Sequence, residues 1–352
     1  MKECLVTGAT GHIGNVFVRR LLDEGFCVNA LVLKGDSQIS LLESMGVNII
    51  YGDICDIECL RKCIPENGIV FHLAGYIEIG SGLKDKKQLY KVNYEGTKNV
   101  ADVCLEKHVE KLVYTSSVHI IEPVKNAVLV EPTVFNEKKI VGHYAKSKTM
   151  SAKYVMEKVK EGLNAVIVYP SGVIGPYDYK VSQLGQLLIQ IANKSIKLLV
   201  RGKYNLVDVR DVCEGILAAY EKGRIGEGYI LSGHEVSVIE IYKYVCDCLG
   251  RKANAKIVPM WIAKTFAYAS ELWDKMFKRR PLYTRYSLYT ITSNCNFSND
   301  KAKEELNVTF RPAKDSICDA VRWFMKNMPE KFKMSVFDEY KLKAFKKKES
   351  SK

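Results

Sequence analysis

The chain has 352 residues, more than one core usually organises, so it divides into roughly two compact units and is not a small stapled module. Apolar residues make up 47% and charged residues 26%, which allows a sizeable core and excludes a disordered chain. The net charge of +13 is uneven: residues 1–150 carry 18 charges of each sign, residues 151–330 carry 27 basic against 19 acidic, and residues 331–352 carry 8 against 3. A neutral first half argues against a nucleic-acid coat and for a solvated surface that ends in a Lys-rich tail.

The first residues lack the basic flank, apolar run and cleavage site of a secretory signal, so export is not expected. No stretch approaches the ~18 consecutive apolar residues of a membrane span. From residue 3, short apolar runs at 4–7, 27–33, 47–51, 69–73, 112–116 and 165–169 alternate with segments long enough for crossover helices. That pattern predicts a doubly wound parallel α/β sheet of the Rossmann kind, buried on both faces. Cys55, Cys59 and Cys63 recur at spacings of four and read as one helix face packed on the core; no metal is expected. The eleven cysteines, Cys4, Cys27 and Cys104 among them, read as reduced thiols in a cytoplasmic protein. Beyond Pro170 the alternation weakens. Helices are predicted over 181–193, 209–222 and 237–249, with short strands near 197–200 and 228–231, which makes a smaller and mostly helical second lobe. The expected division is 1–175 for the sheet domain, 176–330 mainly for substrate and 331–352 as a basic tail. An apolar stripe of Ile262, Phe266, Ala269, Trp273 and Met276 marks an amphipathic helix over 259–277. A pocket roof, a membrane contact beside Lys275, Lys278, Arg279 and Arg280, and plain core packing stay open for it.

The first strand runs into Thr7-Gly8-Ala9-Thr10-Gly11-His12-Ile13-Gly14 and then directly into a helix. Glycines there let the backbone turn tightly and approach a pyrophosphate facing the helix N-terminus. The Gly-x2-Gly-x2-Gly spacing resembles that of the short-chain dehydrogenase/reductase superfamily, in its extended branch, the epimerase/dehydratase family. Gly52-Asp53-Ile54, His72-Leu73-Ala74-Gly75, Val92-Asn93-Tyr94-Glu95-Gly96-Thr97, Tyr114-Thr115-Ser116-Ser117, Tyr144-x3-Lys148 and Pro170-Ser171-Gly172-Val173-Ile174-Gly175-Pro176 carry the resemblance in order, to about residue 327. It implies a nicotinamide dinucleotide held by Gly8, Thr10, Gly11, His12, Ile13, Gly14, Leu33, Lys34, Asp53, Ile54, Leu73, Ala74, Gly75, Asn93, Tyr144, Lys148, Pro170, Gly172 and Val173. The second strand ends Leu31-Val32-Leu33-Lys34 with no carboxylate at its tip. Lys34 can pair with a 2′-phosphate, so NADP(H) is expected over NAD(H), although Asp36 is close enough to reverse that preference.

Tyr144 and Lys148 sit four apart and so share a helix face. A phenol is a poor acid–base near pH 7, and an adjacent ammonium stabilises its phenolate. The resemblance adds Ser117 as the group holding the substrate oxygen, and makes Ser117, Tyr144 and Lys148 the expected catalytic set. Only one of Ser116 and Ser117 can face the site, because side chains alternate along a strand. His119 and His143 read as pocket-lining residues. After Ser117 the chain reads Val118-His119-Ile120-Ile121-Glu122-Pro123, without the Asp-Glu pair of sugar-nucleotide dehydratases or the Val-Tyr-Gly of epimerases. The segment 170–176, and Phe310-Arg311-Pro312 near the end, instead resemble dihydroflavonol reductases and 3β-hydroxysteroid dehydrogenases. The expectation is therefore a dehydrogenase or reductase of a small hydrophobic alcohol or carbonyl compound, with no nucleic-acid partner. A nucleotide-sugar epimerase and a non-catalytic dinucleotide sensor are the alternatives; a homodimer and a weak peripheral membrane contact stay open.

Overall fold

The computed structural model describes residues 2–77, 83–265 and 285–333. Its largest layer is a seven-stranded parallel sheet built from β1 (Glu3–Thr7), β2 (Cys27–Val32), β3 (Asn48–Tyr51), β4 (Ile69–His72), β5 (Lys111–Thr115), β6 (Ala165–Pro170) and a later strand, Gly228–Leu231. From one edge the order is Gly228–Leu231, β6, β5, β4, β1, β2, β3. The chain thus starts in the middle, winds to β3, then returns past β1 and winds the other way. This reversal leaves a crevice at the carboxyl ends of β1 and β4.

Helices cover both faces, which is why the strands read as continuous apolar runs. On one face α1 (His12–Asp23) buries Val16, Phe17 and Leu21 beside Val212 and Ile216 of the helix Val209–Lys222. On the other, α3 (Ile57–Cys63), α5 (Thr97–Glu106) and α6 (His143–Lys160) bury Leu60, Val100, Cys104, Ala152 and Val155; α2 (Ile39–Ser44) and α4 (Leu83–Tyr90) complete the first six helices. A third core lies in the second lobe, among the helices Gln183–Ala192, Val238–Cys248 and Ala313–Asn327. Two smaller sheets accompany it, one of Gly172–Ile174, Lys203–Asp208 and His234–Ser237 and one of Leu198–Val200 and Lys256–Val258.

Several details depart from the sequence reading. The sequence places Gly228–Leu231 in the second lobe, but it pairs in parallel with β6, so the chain leaves the sheet and comes back to it. Cys55 does not share a helix face with Cys59 and Cys63. Asp56 accepts hydrogen bonds from the N–H groups of Glu58 and Cys59 and caps α3, so the helix begins beyond Cys55. Nor are all cysteines reduced: nine are free, whereas Cys248 and Cys318 form a disulfide between two helices of the second lobe. Their sequence separation of 70 hides a pairing that helix packing creates. Of the expected helix 259–277, residues 260–265 are helical, with Trp261 and Ile262 exposed; Phe266, Ala269, Trp273 and Met276 lie outside the described residues. So do residues 334–352 of the tail. Among the described residues no helix is long and apolar enough to cross a membrane.

Candidate active site

The glycine loop spans the end of β1 and the start of α1. Gly8 has φ +74, and a Cβ on it would lie 2.6 Å from the backbone nitrogen of Ala74, so only glycine fits there. The Gly11 N–H donates to the Gly8 carbonyl at 3.0 Å, closing the turn, and Gly11 precedes α1 without any side-chain cap. The first N–H groups of the helix, those of His12, Ile13 and Gly14, therefore stay available for an anion, whereas the Asn15 N–H donates to the Gly11 carbonyl at 3.0 Å. His12 turns its ring to the Pro176 carbonyl at 2.9 Å, which fastens the loop after Gly172 and Val173 to the start of α1.

Beside the loop, β4 ends in His72, which is fully buried. Its Nδ1 lies 2.7 Å from the Thr7 hydroxyl and its Nε2 2.9 Å from the Thr97 hydroxyl, tying β1, β4 and α5 together. Burial, with some help from the Lys148 charge, pushes its pKa down to about 3, so the ring is neutral. Leu73, Ala74 and Gly75 continue over the loop, and a Cβ on Gly75 would stand 3.3 Å from the Lys148 Nζ. Asp53 accepts from the Cys55 N–H at 2.9 Å at the end of β3, and Ile54 packs on Gly96. Buried Asn93 lies in a π-helical turn, Lys91–Gly96. Its carbonyl oxygen accepts from the Tyr76 N–H at 2.7 Å, while its amide donates to the Tyr76 carbonyl at 3.0 Å and the Ser147 hydroxyl at 3.1 Å. Asn93 thereby fixes the strand end that crosses in front of α6.

Ser117, Tyr144 and Lys148 come together at the end of β5. Ser116 turns toward the buried Tyr114 and Ser117 toward Tyr144, as strand alternation requires. Lys148 is buried and donates from Nζ to the Thr115 carbonyl at 3.0 Å, with the Tyr114 ring centroid 4.9 Å away. Burial pushes the Tyr144 phenol up; the Lys148 ammonium and a hydrogen bond with Ser117 oppose that rise. Burial likewise pulls the Lys148 ammonium down, against the pull of Tyr144. The pair can hold or release a proton at the Tyr144 oxygen, with the charge of Lys148 deciding how readily. His119 lies edge-on to Tyr144, with ring centroids 6.2 Å apart, and His143 faces Tyr90 instead.

Other residues at the site carry no sequence signal. Ser147 supports both Asn93, whose amide donates to its hydroxyl at 3.1 Å, and Tyr144, to whose carbonyl it donates at 2.7 Å. Tyr286, on the helix Arg285–Thr292, lays its ring on Gly142, immediately before α6, and its charge state bears on Tyr144. Lys180, on the loop beyond Pro176, reaches Thr10 at 3.1 Å. Both arrive from far along the chain, and only the second lobe's folding brings them here. Arg311 of the closing motif is anchored elsewhere, by Asp211 on the helix Val209–Lys222. Lys34 follows β2 and is exposed, as is Leu33, whereas the Asp36 carboxylate is already engaged by Thr10 at 2.8 Å and Lys180 at 2.7 Å. The residues present fit a dinucleotide: glycines line the crevice where a Cβ would collide, and the Thr115 and Ser171 hydroxyls at the adjoining strand ends are buried without a partner among the described residues. Among the described residues no group of three or more His, Cys, Asp or Glu side chains could hold a metal.

A model of the NAD dependent epimerase/dehydratase family matches residues 4–232. Among curated proteins, the chain is 30% identical to the putative dihydroflavonol 4-reductase of Synechocystis sp., covering 92% of this chain and 95% of that one. It is 27% identical to the sterol demethylase protein B of Methylococcus capsulatus, over 91% and 97%. The crystal structure of gox2253 superimposes with a TM-score of 0.81 at 32% identity, covering 95% of this chain and all of the other.

Proposed function

Since the chain belongs to the NAD-dependent epimerase/dehydratase family, we propose that it is an NAD(P)(H)-dependent oxidoreductase that interconverts a hydrophobic alcohol and its ketone. The observation that carries this reading is the meeting of Ser117, Tyr144 and Lys148 at the open end of β5, beside the glycine loop. When bound, the nicotinamide supplies or takes the hydride. The chain does the rest. Gly8, Thr10, Gly11, His12, Ile13 and Gly14 hold the pyrophosphate side; Leu33, Lys34, Asp53 and Ile54 hold the adenosine side. Leu73, Ala74, Gly75, Asn93, Pro170, Gly172 and Val173 line the crevice toward the nicotinamide. Ser117 orients the substrate oxygen, Tyr144 gives that oxygen a proton during reduction or takes one during oxidation, and Lys148 stabilises the phenolate this leaves. Residues 1–175 serve mainly the dinucleotide and residues 176–330 mainly the substrate.

Apolarity of the substrate is supported by the segment between Ser117 and Tyr144, which leaves Val124, Val128, Val130, Val134 and Val141 exposed, and by Ile77. The names of two relatives, a dihydroflavonol reductase and a sterol protein, point the same way. Sugar-nucleotide chemistry is disfavoured, because Val118 and His119 stand where a dehydratase needs its Asp-Glu pair. Lys34 favours NADP(H). Nine of the eleven cysteines are free thiols, which favours a cytoplasmic site, and the Cys248–Cys318 disulfide is the exception to that pattern. The test is oxidation of NADPH and NADH with ketosteroids, flavanonols, simple aldehydes and sugar nucleotides as partners. Turnover of a bulky apolar ketone is expected; turnover confined to a sugar nucleotide would overturn the reading.

A further inference from the structure

Three segments distant in sequence meet above the glycine loop. Thr10 comes from the loop itself, Asp36 from the turn after β2, and Lys180 from the second lobe. The Asp36 Oδ2 accepts from the Thr10 hydroxyl at 2.8 Å and from the Lys180 ammonium at 2.7 Å, while its Oδ1 accepts from the Gln38 N–H at 3.0 Å. Burial works to raise the Asp36 pKa, but the bonds from Lys180, Gln38 and Thr10 outweigh it and hold the carboxyl below its ordinary value. Asp36 is therefore ionised and its oxygens are occupied. A ribose diol can gain that carboxylate only by displacing one of these donors.

The loop that presents Lys180 is held in one conformation. Tyr177 (φ 67) and Val181 (φ 50) flank it in the left-handed region, which a β-branched residue such as Val181 rarely adopts. The conformation is held from outside: the Asn15 amide donates to the Tyr177 carbonyl at 3.1 Å, the Arg19 guanidinium lies 4.8 Å from the Tyr177 ring centroid, and buried Asp178 accepts from the Ser182 N–H at 2.8 Å. The Lys180 side chain remains 43% exposed, and its ammonium has three donors, of which Thr10 and Asp36 take two.

We propose that Lys180 is a specificity-determining contact for the adenosine 2′-phosphate of NADP(H), with Asp36 as the counter-ion that holds it over the glycine loop. This rests on the dinucleotide reading above and extends it with a residue from the other lobe. Without Lys180, Lys34 and Asp36 would cancel, and a carboxylate at the ribose edge repels a phosphate. With it, the edge is net positive, Asp36 is neutralised by a partner at 2.7 Å, and the partly exposed ammonium keeps one donor for the anion.

The experiment measures equilibrium binding to the full chain of NADPH and NADH, and of adenosine 2′,5′-bisphosphate and ADP as fragments that differ in the same phosphate. Lys180→Gln should weaken NADPH and the bisphosphate by roughly 10- to 100-fold, the range for loss of one charge-assisted hydrogen bond, and leave NADH and ADP unchanged or bound more tightly, because it frees Asp36 for the ribose diol. Lys180→Arg should restore most of the NADPH affinity. Thermal melting confirms that each variant folds. Equal weakening of all four ligands, or no change in any, would overturn the role of Lys180 while leaving the dinucleotide reading standing. Failure of the wild-type chain to bind any of the four would remove that reading, and this proposal with it.

Discussion

Tyr144 and Lys148 sit on adjacent turns of α6, and burial drives each toward its neutral form while the other opposes it. That opposition gives a signed expectation. The Lys148 charge lowers the Tyr144 pKa, so Lys148→Met lets it rise, and the increase of kcat with pH in the alcohol-oxidation direction should move to higher pH. A profile that stays in place would mean that Lys148 does not tune the phenol. Tyr144→Phe keeps the ring and removes only the hydroxyl proposed to carry the proton; turnover should fall about 10²- to 10⁴-fold with dinucleotide affinity nearly unchanged. This pair was legible in the sequence because a spacing of four on a helix puts both side chains on one face. Lys180 and Tyr286 were not, since Lys180 bonds to Thr10 across 170 residues and no local pattern encodes a contact of that length. From the sequence, Asp36 is close enough to the ribose to reverse the preference for NADP(H). Its three bonds, one of them from the unforeseen Lys180, are what the sequence concealed.

The strands β1 to β6 appear within about two residues of their sequence positions, because burial on both faces makes each an unbroken apolar run between helical segments. The strand Gly228–Leu231 was visible as a strand, but its place beside β6 depends on the chain returning from the second lobe. Where elements meet, single residues act as ties, and His72 is one between β1, β4 and α5. Its pKa of about 3 in the folded state lies below the ordinary 6.5, so the unfolded chain binds the proton first as pH falls. Stability from this group is complete above about pH 6.5 and is lost progressively between there and pH 3. Between pH 7 and pH 5 the loss should be about 2 kcal/mol in urea unfolding, a component that His72→Gln should lack. The junction of β1 and α1 gives a second test. Gly11 has an ordinary φ of −79, and a Cβ on it would stand 3.2 Å from the Gly8 carbonyl oxygen, so Gly11→Val requires a shift of a few tenths of an ångström in the loop and should leave the rest of the fold intact. It places a branched side chain in the proposed pyrophosphate site, and calorimetry should show dinucleotide affinity reduced about 100-fold or more. A folded Gly11→Val protein with undiminished affinity would remove the glycine loop from the site.

Across the whole molecule, the sheet domain and the second lobe are joined at the crevice, where His12 holds the Pro176 carbonyl and Lys180 holds Thr10, while the second lobe keeps a core of its own. That core includes the helices Val238–Cys248 and Ala313–Asn327, and the Cys248–Cys318 disulfide fastens one to the other. The apolar positions of both helices already pack together, so the native contacts do not require the bond. Its contribution comes chiefly from the unfolded chain, where closing a loop of 70 residues removes conformational freedom. The loop-entropy relation gives about 4 kcal/mol for that length, and measured effects usually fall between about 2 and 4 kcal/mol. Cys318→Ser should therefore lower the unfolding free energy of the second lobe by this amount and leave dinucleotide binding in place, because neither cysteine lies at the crevice. Thiol titration provides the direct check. Unfolded without reductant, the chain should expose nine reactive thiols, and after reduction eleven. Eleven in both conditions would mean that the second lobe stands on packing alone, and Cys318→Ser should then change its stability by no more than the loss of a small buried side chain.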